Sequence, residues 1–266
     1  MCMAPFMTKN SDMPVPCGKC PECRSRRVSE WSFRLMQEDK VSVTSLFLTL
    51  TYDTEHVPFD EVGRMNLCKR DVQLFFKRLR KAHGPAVTIK YYLAAEYGTK
   101  SWRPHYHIII FNVLKELVQA AWPCGSVHFG TVSGASVGYT LKYISKPKRV
   151  PQYKGDVRVP EFSLMSKGLG KSYLTPASIR WHKSDVANRM YLNIIGGKKA
   201  SMPRYFKDRM YTSAEREIIA AAAVVKFSDA KLKEYLASDE KTFINNKLAI
   251  TAAYERMEKA DTKNKI

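Results

Sequence analysis

The amino-acid sequence predicts an α+β fold, in which a central antiparallel sheet of about five strands carries helices on one face. Runs of β-forming residues such as Ser45–Tyr52 predict strands, and amphipathic stretches between such runs predict helices. The 266 residues, 45% apolar and 26% charged, suffice for one core and an appended subdomain. We expect a cysteine-containing segment with a helix at 1–40, the sheet domain at 41–150, a basic extension at 151–211 and two helices at 212–266.

The first half of the predicted sheet domain contains one strand between two helices. Residues 24–40 predict a basic helix, and Ser45–Tyr52 predicts the strand. Within Lys69–Ala82 apolar side chains recur at helical spacing, and His83-Gly84-Pro85 ends this helix. Its other face is mostly basic, which favours contact with phosphates over a merely solvated surface.

The second half predicts a hairpin followed by a helix, a strand and another helix. Thr88–Tyr97 predicts a strand, and a short connection leads from it into the apolar strand His105–Phe111. The following residues predict a short helix at Val113–Trp122, a strand at 127–132 and a helix that begins after Gly134.

The net charge of +19, from 44 Lys and Arg against 25 Asp and Glu, predicts a polyanionic partner. Solubility or attraction to a membrane surface is the alternative, but no basic amphipathic helix with a broad aromatic face stands out. No stretch approaches the roughly eighteen apolar residues of a membrane span, so we expect a cytoplasmic protein without a membrane partner. The basic extension, which includes Arg158, suits a clamp that becomes ordered on DNA. The candidate DNA contacts are Lys69, Arg70, Lys77, Arg78, Lys81, Arg103, Lys148 and Arg149.

His105 and His107 project from the same face of a predicted strand, because successive strand residues point to opposite faces. Two neighbouring imidazoles at the mouth of a buried strand can hold one divalent metal ion, and two structural histidines are the alternative. The predicted hairpin brings Glu96 close to both rings. There it serves either as a third metal ligand or as an ordinary strand-end carboxylate.

The helix after Gly134 carries Tyr139 and Tyr143, which lie four residues apart and therefore on one face. An apolar stripe on the opposite face can dock on the sheet. Tyrosine oxygen is a competent nucleophile when a metal ion polarises the phosphate that it attacks, and Lys142 and Lys146 would stabilise the negative charge. A structural role for either ring is the alternative. With the histidine pair, the helix predicts breaking and rejoining of a DNA strand.

Cys17, Cys20 and Cys23 have the close spacing and the turn residues of a metal-binding knuckle. A tetrahedral Zn²⁺ site needs a fourth ligand, for which Cys2, Cys68 and a nearby carboxylate are all candidates. A turn that carries free thiols is the alternative. Six cysteines in a chain of 266 residues do not make a disulfide scaffold.

Three motifs resemble those of the HUH rolling-circle replication initiators. They lie at Phe47–Tyr52, at Pro104–His107 and at Gly138–Lys146. The flanking segments Pro16–Arg24 and Met202–Asp208 are similar to those of the replication initiation proteins of gokushovirus-type microviruses, which are small single-stranded DNA phages. The resemblance implies the HUH endonuclease fold, which is related to the ferredoxin-like and RRM-like layout.

This resemblance implies an endonuclease that nicks and rejoins DNA at a phage origin during rolling-circle replication. His105, His107 and Glu96 would hold Mg²⁺ or Mn²⁺. Tyr139 and Tyr143 would be alternating nucleophiles, each forming a 5′-phosphotyrosine link to single-stranded origin DNA.

The expected partners and the rival functions follow from the same motifs. No phosphate-binding loop of the G-x-x-x-x-G-K-Ser/Thr type is present, so we expect a host helicase and replication machinery as partners in the bacterial cytoplasm. A relaxase or transposase of the HUH class would share the histidine pair and the tyrosine chemistry. A non-catalytic, RRM-like nucleic-acid-binding module is the other rival, and it would need neither the metal nor the tyrosine helix.

Overall fold

The computed structural model describes residues 2–8, 11–145, 149–194, 197, 199–237 and 240–263. Its strands are β1 Phe6–Thr8, β2 Ser11–Val15, β3 Ser45–Tyr52, β4 Lys90–Tyr97, β5 Pro104–Phe111, β6 Gly125–Thr131, β7 Phe162–Met165, β8 Tyr191–Asn193 and β9 Lys199–Ser201. Its α-helices are α1 Pro21–Asp39, α2 Lys69–His83, α3 Glu116–Ala121, α4 Gly134–Ser145, α5 Pro176–Lys183, α6 Arg204–Met210, α7 Ser213–Ala237 and α8 Glu240–Lys263. A short 3-10 helix, Lys171–Tyr173, precedes α5.

Strands β3 to β7 form one five-stranded sheet in the order β6-β3-β5-β4-β7. Every neighbouring pair in it is antiparallel, and β4 and β5 form the predicted hairpin. In the middle strand, every side chain from Ile108 to Phe111 is 0% exposed, as expected of an apolar run without alternation. The α+β fold with a central antiparallel sheet of five strands is thereby confirmed.

Helices α2 and α3 cover the face of the sheet that carries Tyr106 and Ile110. The apolar face of α2, including Phe75 and Leu79, is buried in the same core, while its basic residues face outward. The helix ends at Gly84, whose left-handed backbone (φ 76°) breaks the helical path. The amphipathic pattern therefore predicted both the buried face of α2 and its end.

The opposite face of the sheet carries His105 and His107, because side chains alternate along β5. Helix α4 contacts β4 and β5. Its Val137 and Leu141 are fully buried, whereas Tyr139 is 45% exposed. The helix thus docks through its apolar stripe, as predicted, and lies across part of the face that holds the histidines.

The connection after β5 differs in detail from the prediction. The chain leaves β5 through Asn112, whose left-handed backbone (φ 61°) turns it, so α3 begins at Glu116 rather than at Val113. Strand β6 begins two residues earlier than expected, at Gly125. Glycine is required there, because a Cβ atom would collide with the backbone carbonyl of Thr51.

The chain packs as two compact units. One consists of residues 1–33 and 172–260, and the other of residues 34–171 and 261–266. The second unit contains the five-stranded sheet and the whole of the segment 41–150 that was expected to form the sheet domain.

The first unit has a hydrophobic core of its own. Phe33 of α1 meets Tyr173 and Phe206 edge to face, with ring centroids 5.0 and 6.2 Å apart, and Leu192 and Met202 are fully buried beside them. Helices α7 and α8 are the two helices predicted for the C-terminal region. Among the helices described, none has the length and the apolar character that crossing a membrane requires.

Candidate active site

The antiparallel register of β4 and β5 places Glu96 directly opposite His105. One oxygen of Glu96, Oε1, lies 2.7 Å from Nε2 of His105 and 2.9 Å from Nε2 of His107. The three side chains are largely buried, with 13%, 19% and 6% of their surface exposed in that order. Their candidate ligand atoms all lie within 4.8 Å of one another. The prediction that the hairpin brings Glu96 to both imidazoles is confirmed.

Hydrogen bonds on the far side of each ring fix its orientation. Nδ1 of His105 lies 3.2 Å from the backbone oxygen of Arg103, and Nδ1 of His107 lies 3.1 Å from Oγ1 of Thr49. A carbonyl oxygen can only accept a hydrogen bond, so Nδ1 of His105 carries a proton. Such partners hold metal-binding histidines in place and raise the basicity of the ligating nitrogen. Both rings therefore present Nε2 to the shared carboxylate.

Thr49 is a site residue that the sequence analysis missed. It lies opposite His107 in the register between β3 and β5. These two strands are neighbours in the sheet although their paired positions, such as Thr51 with His105 and Ser45 with Phe111, are far apart in the chain. No local pattern in the sequence reports such a pairing.

Tyr139 stands beside His107. The two rings meet edge to face with their centroids 5.0 Å apart. Phe47 of β3 supports both, because it stacks on His107 at 6.0 Å and meets Tyr139 edge to face at 6.3 Å. Gly130 leaves room for Phe47, since a Cβ atom there would lie 2.9 Å from Cδ1 of the phenyl ring. An aromatic contact thus joins the tyrosine helix to the histidine strand.

The remaining candidates on the tyrosine helix are only partly described. Lys142 is exposed and lies about one turn from Tyr139. The side chain of Tyr143 and the whole of Lys146 lie outside the described residues, and so does Lys148, which was expected to contact DNA. The roles assigned to these three residues rest on the sequence.

Three other tyrosines near the sheet are poorly suited to act as nucleophiles. Tyr52, Tyr97 and Tyr106 are almost fully buried in the core on the face opposite the histidines. Desolvation by burial raises the pKa of Tyr52 and Tyr106 far above the ordinary value and that of Tyr97 to about 12. Tyr52 donates a hydrogen bond of 2.8 Å to Asp71, and Tyr106 donates one of 3.0 Å to the backbone of Cys68. These rings are structural.

The candidate DNA contacts on α2 are exposed, but α2 packs on the face of the sheet opposite the histidines. They are Lys69, Arg70, Lys77, Arg78 and Lys81. Any DNA that touches them and the site together must pass around an edge of the sheet.

Arg103 and Arg149 make hydrogen bonds within the protein. Arg103 donates to the backbone oxygen of Tyr52 at 2.8 Å. Arg149 lies 3.8 Å above the ring of Trp102 and donates to the backbone oxygen of Gly98 at 2.9 Å. Both arginines therefore brace the turn between β4 and β5, close to Glu96 and His105 in sequence.

The structure corrects the expectation for Arg158 in the basic extension. Its side chain is 4% exposed and bonds to both carboxylate oxygens of Asp156, at 3.0 and 2.8 Å, while Asp156 itself is 0% exposed. The hydrogen bonds from Arg158 hold the pKa of Asp156 well below its ordinary value. Arg158 neutralises a buried carboxylate instead of contacting DNA, because the acidic partner lies only two residues away.

The glycine-rich segment Gly168–Ser172 contains Gly-Lys-Ser, yet its backbone does not form a phosphate-binding loop. The amide of Gly170 donates to the carboxylate of Glu38 at 2.8 Å, and Glu38 also pairs with Lys90 at 2.7 Å. An amide already bonded to a buried carboxylate cannot bind a phosphate as well. The segment fixes the C-terminal end of α1 to the sheet.

Four cysteines of the N-terminal region converge. The group consists of Cys2, Cys17, Cys20 and Cys23, whose sulfur atoms all lie within 4.8 Å of one another. Of the candidates for a fourth ligand, the structure therefore brings up Cys2, whereas Cys68 lies at the start of α2. Desolvation acts to raise the pKa of Cys17, but backbone hydrogen bonds outweigh it and lower the pKa to about 6.

Comparison with known proteins gives consistent matches. Residues 45–148, which include β3, β5 and α4, match the family model described as replication-associated protein ORF2. The chain is 32% identical over 267 residues to the replication-associated protein ORF2 of Spiroplasma virus 4, with 87% of this chain and 82% of that protein covered.

Two further relatives carry the same description. The chain is 26% identical over 244 residues to the replication-associated protein VP4 of Bdellovibrio phage phiMH2K, with 82% of this chain and 74% of that protein covered. It is 27% identical over 232 residues to the replication-associated protein ORF4 of Chlamydia phage 1, with 75% and 54% covered. No solved structure matches the chain significantly.

Proposed function

Because this chain belongs to the replication-associated protein ORF2 family, we propose that it is the endonuclease that initiates rolling-circle replication of a phage genome. It nicks single-stranded origin DNA through a tyrosine nucleophile and a divalent metal ion, and it later rejoins the ends. The observation that carries this proposal is the contact between Tyr139 and His107, at 5.0 Å, beside the group of Glu96, His105 and His107.

The donor set of Glu96, His105 and His107 fits a divalent cation. Because Nδ1 of His105 donates to a carbonyl, Nε2 of a neutral ring faces Oε1 of Glu96 at 2.7 Å without a proton. Two acceptors so close are stable only if the ring gains a second proton or a cation joins them. Three protein ligands leave open positions for phosphate oxygens and water around Mg²⁺ or Mn²⁺. The ion would neutralise charge on the scissile phosphate.

The proposed cleavage transfers a phosphodiester from the DNA to Tyr139. The phenol oxygen attacks phosphorus, and the bond from phosphorus to the 3′ oxygen of the preceding nucleotide breaks. The phenol proton passes to solvent, and the departing 3′ oxygen takes up a proton. The products are a 5′-phosphotyrosine and a free 3′-hydroxyl, and attack by a 3′-hydroxyl on the phosphotyrosine reverses the step and joins the strand. Lys142 would stabilise the negative charge that develops at phosphorus.

Tyr143 would be the second nucleophile. After one cleavage Tyr139 remains bonded to the 5′ end, so cutting the regenerated origin calls for another acceptor near the same metal ion. Side chains four residues apart on a helix have Cβ atoms about 6 Å apart on one face. A small shift of the DNA along α4 would therefore bring either phenol to the scissile phosphate.

Trapping of a covalent adduct tests the function. The full chain would be incubated with Mn²⁺ and overlapping single-stranded oligonucleotides that tile the phage genome, each labelled at either the 3′ or the 5′ end. We expect one origin-containing oligonucleotide to transfer its 3′ label to the protein in a denaturant-resistant form. The same oligonucleotide should release its 5′ label as a shorter fragment that a polymerase can extend. A chelator should abolish both products.

The outcomes separate this proposal from its rivals. Binding to single-stranded DNA without cleavage of any oligonucleotide would favour the RRM-like binding module. A relaxase or transposase would form the same adduct, and family membership is what favours replication over these. We further propose that a host helicase unwinds the duplex, because the chain has no complete helicase phosphate loop.

A further inference from the structure

Four cysteine sulfurs meet beside the β1–β2 hairpin, in a group that the proposed nuclease chemistry does not use. We propose that Cys2, Cys17, Cys20 and Cys23 bind one structural Zn²⁺ ion. Tetrahedral coordination with Zn–S distances of about 2.3 Å places the sulfurs about 3.8 Å apart. The sulfurs here all lie within 4.8 Å of one another, so small inward movements complete the site.

Backbone amides point at three of the four sulfurs. The amide of Cys17 lies 3.1 Å from Sγ of Cys2, and the amide of Cys20 lies 3.4 Å from Sγ of Cys17. The amide of Met3 lies 3.5 Å from Sγ of Cys20. Amide donors stabilise thiolates, which are the form of cysteine that binds metals. Cys20 and Cys23 also lie at the first turn of α1, where the positive end of the helix favours negative charge.

The arrangement suits a single zinc ion better than an iron–sulfur cluster. The spacing C-x₂-C-x₂-C also occurs in ferredoxins, but their sulfurs stand farther apart because several irons and sulfides lie between them. Four thiolates fill a tetrahedral shell and leave no position for water or substrate, so the ion would be structural. Gly18, with a φ of 72°, supplies the left-handed turn that lets Cys17 and Cys20 face the same ion.

The ion would tie three parts of the N-terminal region together. Cys2 precedes β1, Cys17 follows β2, and Cys23 lies in the first turn of α1. An isolated two-stranded hairpin is marginally stable in water, and structural zinc contributes its binding free energy to folding. We therefore expect the hairpin and the start of α1 to depend on the metal.

Zinc content tests the proposal directly. The full chain, purified without added metal or chelator, should contain zinc at a molar ratio near one by elemental mass spectrometry. Cys17→Ser and Cys20→Ser should lower that ratio by about tenfold or more, because a three-thiolate site binds much more weakly. Cys68→Ser and Cys124→Ser are the matched controls and should retain the zinc. Replacement by Co²⁺ should give the intense visible spectrum of a tetrahedral thiolate complex.

Thiol protection in the unaltered chain keeps the test decisive if the serine variants fail to fold. Alkylation followed by peptide mapping should modify the four clustered cysteines only after a strong chelator removes the metal, whereas the reactivity of Cys68 and Cys124 should stay the same. Equal alkylation with and without chelator would overturn the proposal. So would iron with acid-labile sulfide in place of zinc, or disulfides among the four cysteines. None of these measurements involves DNA cleavage, so the outcome is independent of the proposed nuclease.

Discussion

Glu96 offers one carboxylate oxygen to two imidazoles, and this shared contact defines the chemistry available at the site. The contacts of 2.7 and 2.9 Å place a negative oxygen where a cation would bind both rings. Behind the rings, Arg103 and Thr49 hold the opposite nitrogens. At the residue scale the site is therefore a first set of three ligand candidates and a second set that orients them.

Removal of either histidine should abolish cleavage and adduct formation but leave binding of single-stranded DNA. His105→Ala and His107→Ala each take away a ligand that supports charge neutralisation, so activity should fall by more than the about 10- to 100-fold typical of changes behind the ligands. The adduct assay and a fluorescence binding titration measure the two properties. His128→Ala, an exposed histidine on β6, is the control and should still cleave. Cleavage by a variant that lacks both histidines would rule out the site.

Loss of the Thr49 hydroxyl should weaken metal binding without unfolding the protein. Thr49→Val keeps the shape of the side chain but removes the partner of Nδ1 in His107, and we expect Mn²⁺ affinity to fall by about 10- to 100-fold. Thr49→Ser retains a hydroxyl and should bind Mn²⁺ almost as well as the unaltered chain. Calorimetric titration with Mn²⁺ compares the three proteins. Equal affinities for the valine and serine variants would show that the hydroxyl does not orient the ring.

Helix α4 connects the apolar core to the proposed chemistry at the scale of single elements. Val137 and Leu141 anchor one side of it, and Tyr139 on the other side meets His107 and Phe47. The anchored side fixes where the exposed side stands. A nucleophile on a docked helix is held more precisely than one on a loop.

Single tyrosine variants should retain part of the activity that the double variant loses. Tyr139→Phe and Tyr143→Phe each leave one phenol on the same helix face, so each should still form some adduct, whereas the combined change should form none. Peptide mapping of the trapped adduct identifies the modified residue. Tyr153→Phe, which removes another exposed phenol, is the matched control. An adduct found only at Tyr153 or Tyr173 would contradict the mechanism.

The buried pair of Asp156 and Arg158 should stabilise the sheet unit except in acid. The folded-state pKa of Asp156 is depressed, mainly by the hydrogen bonds from Arg158. Its contribution is therefore complete above the unfolded pKa of about 4 and is lost as the pH falls through the lower, folded-state pKa. Asp156→Asn leaves a buried guanidinium without its charge partner and should lower the free energy of unfolding at pH 7 by about 3–5 kcal/mol.

Urea denaturation between pH 7 and pH 3 measures this effect. The difference between the unaltered chain and Asp156→Asn should shrink toward the acid end of the series. Asp53→Asn is a suitable control, because Asp53 pairs with His56 on the surface, where both side chains are more than 40% exposed. An equal loss of stability for the two variants would show that the buried pair has no special weight.

The charge of the whole molecule, +19, is the property that local structure explains least. Some basic residues are consumed by internal contacts, as Arg103, Arg149 and Arg158 are. Others, such as those on α2, are exposed but lie on the far face of the sheet from the histidines. Net charge therefore predicts a polyanionic partner, whereas it does not indicate which cations touch it.

Affinity for single-stranded DNA should fall steeply with salt, with a logarithmic slope of roughly 0.7 for each neutralised phosphate. Reversing Lys77, Lys81 and Arg78 to Glu should reduce the slope if α2 contacts DNA. The control is a triple reversal of Lys226, Lys241 and Arg256, exposed cations on α7 and α8 that change the net charge equally. The same loss of affinity for both triples would mean that α2 contributes only to the general field. A flat salt dependence would mean that the charge serves something other than DNA.

The sequence by itself determined the elements and the chemistry they carry. Strand periodicity put His105 and His107 on one face, a tight hairpin brought Glu96 to them, and the amphipathic pattern of α4 separated Tyr139 from Leu141. Each of these inferences needs only residues close together in the chain, because helical and strand periods are local properties of the backbone. The motifs also carried the family resemblance, which the comparisons confirm.

Tertiary structure alone decided which neighbours these groups have. The strand order pairs β3 with β5, and only that pairing sets Thr49 and Phe47 against His107. It also selected Cys2 from several candidates for the cysteine group and buried Arg158 against Asp156. Periodicity tells which face a side chain occupies, but not which distant strand lies beside it. That choice belongs to the packing of the whole sheet, where register is fixed by burial of one complete face against its helices.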